Sequence, residues 1–140
     1  MATEFKDGSI SSVLKLSHIV FDEINFKRLG FSTKSCNEAQ IGIAAHKEKI
    51  SEGKYQVSLS LKAIKEREYE ALVTISGYYE IDEDTPYKDK ILSENTVAIL
   101  FPYVRAQMTL LTAQPETEPL IIPPVNVYAL IKQANENNEA

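Results

Sequence analysis

Residues 97–111 read Val-Ala-Ile-Leu-Phe-Pro-Tyr-Val-Arg-Ala-Gln-Met-Thr-Leu-Leu, and no other stretch limits the fold as strongly. The run is too short to span a bilayer, which takes about 20 apolar residues in a helix. Pro102, Arg105, Gln107 and Thr109 also interrupt it. As a helix it is apolar on nearly every side, so it must be covered on nearly every side. The rest of this 140-residue chain supplies strands for one four-stranded sheet, and one sheet covers one side. The other side, to which the spacing assigns Leu100, Tyr103 and Leu111, then needs a second copy of the chain. Self-association is expected from this helix alone.

The pattern changes once, near Thr85-Pro86, from a period of two to a helical period. Before that point Tyr55, Val57, Leu59, Leu61 and Ala63 alternate with polar residues, as do Ala71, Val73, Ile75, Tyr79 and Ile81. A short turn around Lys65-Glu66-Arg67 joins the two runs, which predicts a hairpin with one buried face. Gly77 within the second run points to a bulge or a close approach. Residues 13–28 form an earlier strand with Leu14, Leu16, Val20, Ile24 and Phe26 on one face. A strand around Ile41 and Ile43 makes four, and the polar stretch 46–53 reads as a crossing loop.

After Pro86 one long helix is expected over about 88–114, with Ser93 inside it or capping a second start. Pro102 marks either a boundary or a bend that fits the helix to a partner, since a proline inside a helix removes one backbone bond. Pro115 and Pro119 bound an irregular stretch, Pro123-Pro124 gives an extended lead-in, and a short second helix covers 125 to about 135. The fold class is α+β: a four-stranded antiparallel sheet with a crossover connection, then one long helix and a short C-terminal helix. Residues 1–140 are read as a single domain with flexible ends at 1–12 and 136–140.

Chemistry is sparse. Fifteen basic against twenty acidic residues give a net charge of −5. The average field of such a chain repels nucleic-acid phosphates and anionic lipid. The N-terminus lacks an apolar signal core and carries Glu4 and Asp7, so a soluble cytoplasmic protein is expected. The single cysteine, Cys36, makes no internal disulfide and no Cys-rich zinc site. His18 and His46 belong to no local ligand pair, and the five glycines form neither a P-loop nor a dinucleotide fingerprint. Asp82-Glu-Asp84 reads as a solvated turn rather than a calcium loop. Neither an enzyme, a cofactor nor a metal is expected.

Two segments carry a family resemblance. Ile99-Leu-Phe-Pro-Tyr-Val-Arg105, followed by Pro124-Val-Asn-Val-Tyr-Ala-Leu130, resembles the paired signature of SecB, the bacterial protein-export chaperone, whose long helix carries ILFPYAR and whose second helix opens with PVNFxALY. Leu14-Lys-Leu-Ser-His-Ile-Val-Phe-Asp-Glu-Ile-Asn-Phe26 resembles the family's first strand, and Val73-Thr-Ile-Ser-Gly-Tyr-Tyr-Glu-Ile81 its fourth. The resemblance runs from about residue 13 to 135.

The resemblance implies a homotetramer, a dimer of dimers, with long helices sandwiched between two eight-stranded sheets. Leu14, Leu16, Leu100, Tyr103 and Leu111 become interface candidates. It also implies ATP-independent binding of unfolded polypeptides in apolar grooves. The matching groove positions are Ile41 and Ile43 on the second strand, and Val127, Tyr128, Leu130 and Ile131 on the second helix. An acidic patch that docks the SecA motor is matched at Glu23, whereas the next two positions are Lys27 and Leu72. Three readings follow: a general holdase for export, a dedicated chaperone of an antitoxin, or an oligomeric scaffold or small-ligand binder that keeps only the fold.

Overall fold

The computed structural model of the chain describes residues 13–31, 38–124, 126–127 and 129–132. Cys36, Tyr128 and the expected flexible ends 1–12 and 136–140 lie outside the described residues. Four antiparallel strands follow one another: β1 Lys15–Arg28, β2 Gln40–Ser51, β3 Lys54–Lys65 and β4 Tyr69–Glu80. Across the sheet they run β1-β4-β3-β2. Consecutive strands β1 and β2 thus occupy opposite edges, and the crossover lies between Arg28 and Gln40. The expected crossing loop at 46–53 is a correction: these residues finish β2 and make the two-residue turn into β3. An edge strand exposed on both faces has no alternation to display, so its polar half resembled a loop.

The two central strands hold the core. Tyr55, Val57, Leu59, Leu61 and Ala63 of β3 are buried, as are Tyr69, Ala71, Val73, Ile75 and Tyr79 of β4 and Ile81 beyond it. Each large side chain so buried contributes roughly 1.5–3 kcal/mol over leaving it exposed. The opposite face is a polar ladder, in which the hydroxyls of Ser58 and Ser76, and of Ser60 and Thr74, lie 2.9 Å apart. Gly77 is a close approach rather than a bulge: a Cβ there would sit 2.6 Å from the Tyr79 ring.

The irregularities fall on β1. Its register against β4 shifts between Leu16 and His18 and between Phe21 and Glu23, leaving Ser17 and Asp22 as extra residues. Each bulge reverses the alternation. Directly paired residues share a face, so Leu16, Ile19, Phe21, Ile24 and Phe26 point to the helix side with Tyr79, Gly77, Ile75, Val73 and Ala71. Val20 pairs with Ser76 on the other face, which corrects its expected place beside Leu16 and Ile24. As β1 ends, the amides of Leu29 and Gly30 donate to the Glu68 carbonyl at 2.8 and 3.3 Å, tying the exit to the β3–β4 turn.

The long helix, α1, runs through Lys88–Lys90, a π-helical stretch Ile91–Asn95 and Thr96–Thr112. Ser93 lies within the π stretch and caps nothing. Leu92, Val97, Leu100, Phe101, Val104 and Met108 are buried, and all but Leu92 join the cluster built on β3 and β4. The helix continues through Pro102. After its end, the Thr109 hydroxyl donates to the Leu120 carbonyl at 2.7 Å and the Leu120 amide donates to the Thr112 hydroxyl at 2.8 Å. These bonds fold the chain back along α1. A short C-terminal helix, α2, is described at 127 and 129–132, and Asn126 caps it by accepting the Ala129 amide at 3.2 Å.

Candidate polypeptide-binding surface

The helix side of the sheet is where apolar side chains meet solvent. On β2, Ile41 pairs with Ala63 and Ile43 with Leu61, which turns both toward α1. Ile43 packs partly into the main core cluster, whereas Ile41 stays 47% exposed. On α2 the four-residue spacing sends Val127 and Ile131 into that same cluster and leaves Leu130 40% exposed. The groove candidates therefore divide. Ile43, Val127 and Ile131 belong to one contiguous core, Ile41 and Leu130 reach solvent beside it, and Tyr128 lies outside the described residues.

The interface candidates divide in the same way. Leu14 and Leu111 are half-buried against this chain's own core, and Leu16 and Tyr103 are exposed. Leu100 is 0% exposed, so it faces the sheet and not the open side of α1. That corrects its expected orientation. The outward stripe is instead Ile99, Tyr103 and Leu110, the last 68% exposed. A helix apolar on most sides gives no phase by periodicity, so Leu100 and Leu111 each stand one residue from an exposed position, while Tyr103 is exposed as expected. Sequence reasoning also missed Phe21, exposed on the helix side of β1, because two bulges reset the alternation there, whereas Ile24 lies exposed on the face expected for it.

On the other face of the sheet, Glu23 pairs with Thr74. Lys27 lies opposite Glu70, and Leu72 opposite Asn25. The patch around Glu23 thus mixes both signs of charge with an apolar residue.

Electrostatics gather at one junction. Glu83 accepts from the Gly53 amide at 2.8 Å, from the Tyr55 hydroxyl at 2.9 Å and from Lys88 Nζ at 2.5 Å, and it pairs with Lys49 at 3.2 Å. Lys88 above all, then the Gly53 amide and Tyr55, hold its carboxyl well below the ordinary carboxylate value. The same bond raises Lys88. Burial pushes Tyr79 up to about 12, with a smaller contribution from Tyr103. Glu83, with Lys88, Lys49, Tyr55 and the Gly53 amide, pins the start of α1 to the β2–β3 turn.

A sequence-family model described as preprotein translocase subunit SecB matches residues 13–138, nearly the whole chain. The chain belongs to the SecB family. A curated relative, the uncharacterized protein MJ0357 of Methanocaldococcus jannaschii, is 40% identical over 68 residues. That match takes in 48% of this chain and 44% of the relative, so the chain aligns with less than half of that protein's length. Among solved structures, the Mycobacterium tuberculosis Rv1957 SecB-like chaperone, in complex with a ChAD peptide from the Rv1956 HigA1 antitoxin, superposes with a TM-score of 0.65. It covers 80% of this chain and 87% of its own at 12% identity, which establishes a shared SecB fold. Among the described residues no helix is long and apolar enough to cross a membrane.

Proposed function

We propose that this SecB-family chaperone holds non-native polypeptides on the helix side of its sheet, without nucleotide, as a self-associated assembly. One observation carries the reading. Ile41 and Leu130 remain exposed while their neighbours Ile43, Val127 and Ile131 are rooted in the core. Such an arrangement offers apolar side chains on a firm base, which captures the exposed apolar segments that distinguish an unfolded chain from a folded one. The outward stripe of α1 and the exposed residues Leu16, Phe21 and Ile24 of β1 form the self-association surface, and a dimer of dimers is the assembly the family pattern favours. Several sites on one assembly raise avidity for a long client without a new kind of contact.

The test is suppression of aggregation. A chemically unfolded client diluted into buffer should stay dispersed with this protein present, and Ile41→Asp with Leu130→Asp should weaken that effect while the fold survives. Full suppression by a folded double variant would sink the groove assignment. Binding of a small ligand with no effect on any unfolded client would move the protein to the scaffold class.

Coupling to the SecA motor is the weaker part of the export reading, since Lys27 stands opposite Glu70 where one sign of charge would steer a basic partner. A dedicated antitoxin client is the second reading, supported by the peptide carried by the Rv1957 neighbour. A toxin–antitoxin gene pair beside this gene, and binding of a peptide from that antitoxin in preference to unrelated unfolded chains, would favour it.

A further inference from the structure

We propose that the groove between α1 and the start of α2 selects extended client segments bracketed by two opposite charges. The groove, of about 470 Å³, is floored by Ala98, Phe101, Pro124 and Val127, with Glu94 and Arg105 among the residues that line it. Glu94, Ala98, Phe101 and Arg105 follow spacings of four, three and four, so they share one face of the helix. Among the described residues neither Glu94 nor Arg105 has an ion-pair partner, and both are half-buried. Two unpaired charges of opposite sign along a mostly apolar floor are an unmet electrostatic demand.

The separation sets the length of the occupant. Eleven residues of helix at 1.5 Å each place the two charges about 16 Å apart along the axis. An extended chain rises about 3.3 Å per residue, so roughly five residues span that distance. The occupant is therefore an extended, centrally apolar segment with a basic residue at the Glu94 end and an acidic residue about five positions away at the Arg105 end. The inference rests on the polypeptide-binding reading and names a chemical class within it. It distinguishes this groove from the wholly apolar contacts at Ile41 and Leu130, which have no means of sorting clients by charge.

Four fluorescent peptides with one shared apolar centre test this, bearing Lys/Asp, Lys/Lys, Asp/Asp or Gln/Asn five positions apart. The Lys/Asp peptide should bind tightest, with about three- to fivefold lost for each charge reversed and the advantage shrinking as salt rises. Arg105→Glu should shift the preference to Lys/Lys, Glu94→Lys should shift it to Asp/Asp, and the double swap should favour a fifth peptide with the same centre and the reversed order, Asp/Lys. Circular dichroism and solution mass confirm that each variant is folded. An affinity order unchanged by both single reversals overturns the proposal. So does a protein that holds an unfolded client but none of the peptides, in which case the general holdase reading stands. If neither client nor peptide binds, both readings fail.

Discussion

Glu83 gathers donors from the β2–β3 turn, from β3, from β2 and from the first turn of α1. Its carboxyl is held well below its ordinary value of 4.5, chiefly by Lys88. A carboxylate depressed in the folded state stabilises the protein above its unfolded value and loses that contribution as pH falls. Acid unfolding should therefore begin as pH drops below about 4.5, and Glu83→Gln should flatten that limb of a pH series of urea midpoints. Tyr79 works in the other direction. Its hydroxyl donates to the Thr96 carbonyl at 3.2 Å, and burial holds its proton up to about 12. That contribution is present below the unfolded tyrosine value of 10.0 and fades as pH rises toward 12. Tyr79→Phe should cost about 1 kcal/mol at neutral pH and lessen alkaline destabilisation. An unchanged alkaline limb would show that the hydroxyl is not buried. Leu100 and Tyr103, three residues apart, separate packing from association. Leu100→Ala should cost about 2–5 kcal/mol in denaturant titration. Tyr103→Asp should leave the fold intact and reduce the solution mass.

Two glycines on the sheet margin make a contrast at the scale of elements. A Cβ on Gly30 would lie 2.8 Å from the Arg67 carbonyl, a backbone atom already fixed by the β3–β4 turn, while one on Gly42 meets nothing within 4 Å. Gly30→Ala should destabilise by about 1–3 kcal/mol, and Gly42→Ala by less than about 0.5 kcal/mol, in the same unfolding measurement. The elements themselves were unequally legible in the sequence. The β3–β4 hairpin was plain because each strand has one face in the core and one in solvent, so Val57, Leu59, Val73 and Ile75 alternate cleanly. The faces of β1 were not, because the bulges at Ser17 and Asp22 leave no local mark in composition yet reverse every side chain between them. The second half of β2 was hidden because His46, Lys47, Glu48 and Lys49 are exposed whichever way they point. The phase of α1 was hidden for the converse reason: apolar residues on both its packed and its open side remove the contrast that periodicity needs.

The whole molecule presents its apolar surface unevenly. Ile99, Tyr103 and Leu110 on α1, and Leu16, Phe21 and Ile24 on the helix side of β1, are exposed around a well-filled core, while the opposite face of the sheet is lined with hydroxyls and charges of both signs. That one side of the long helix would carry uncovered apolar residues was readable from residues 97–111 before any family was invoked. The candidate groove residues were only half separable: Ile41 and Leu130 are open, but the fold uses Val127 and Ile131 as core, and sequence alone does not tell a core isoleucine from an exposed one. Adding Tyr103→Asp to the groove variants separates assembly from capture. It should lower avidity for long clients far more than for short peptides, because only long chains reach several sites at once. Equal losses for both would mean that the assembly does not multiply the sites.

The most direct test is light scattering of the purified protein, alone and with a chemically unfolded client. A mass near four times 15.7 kDa that rises with unfolded but not with folded client is the predicted result. A particle of one chain that ignores the unfolded client would contradict the account.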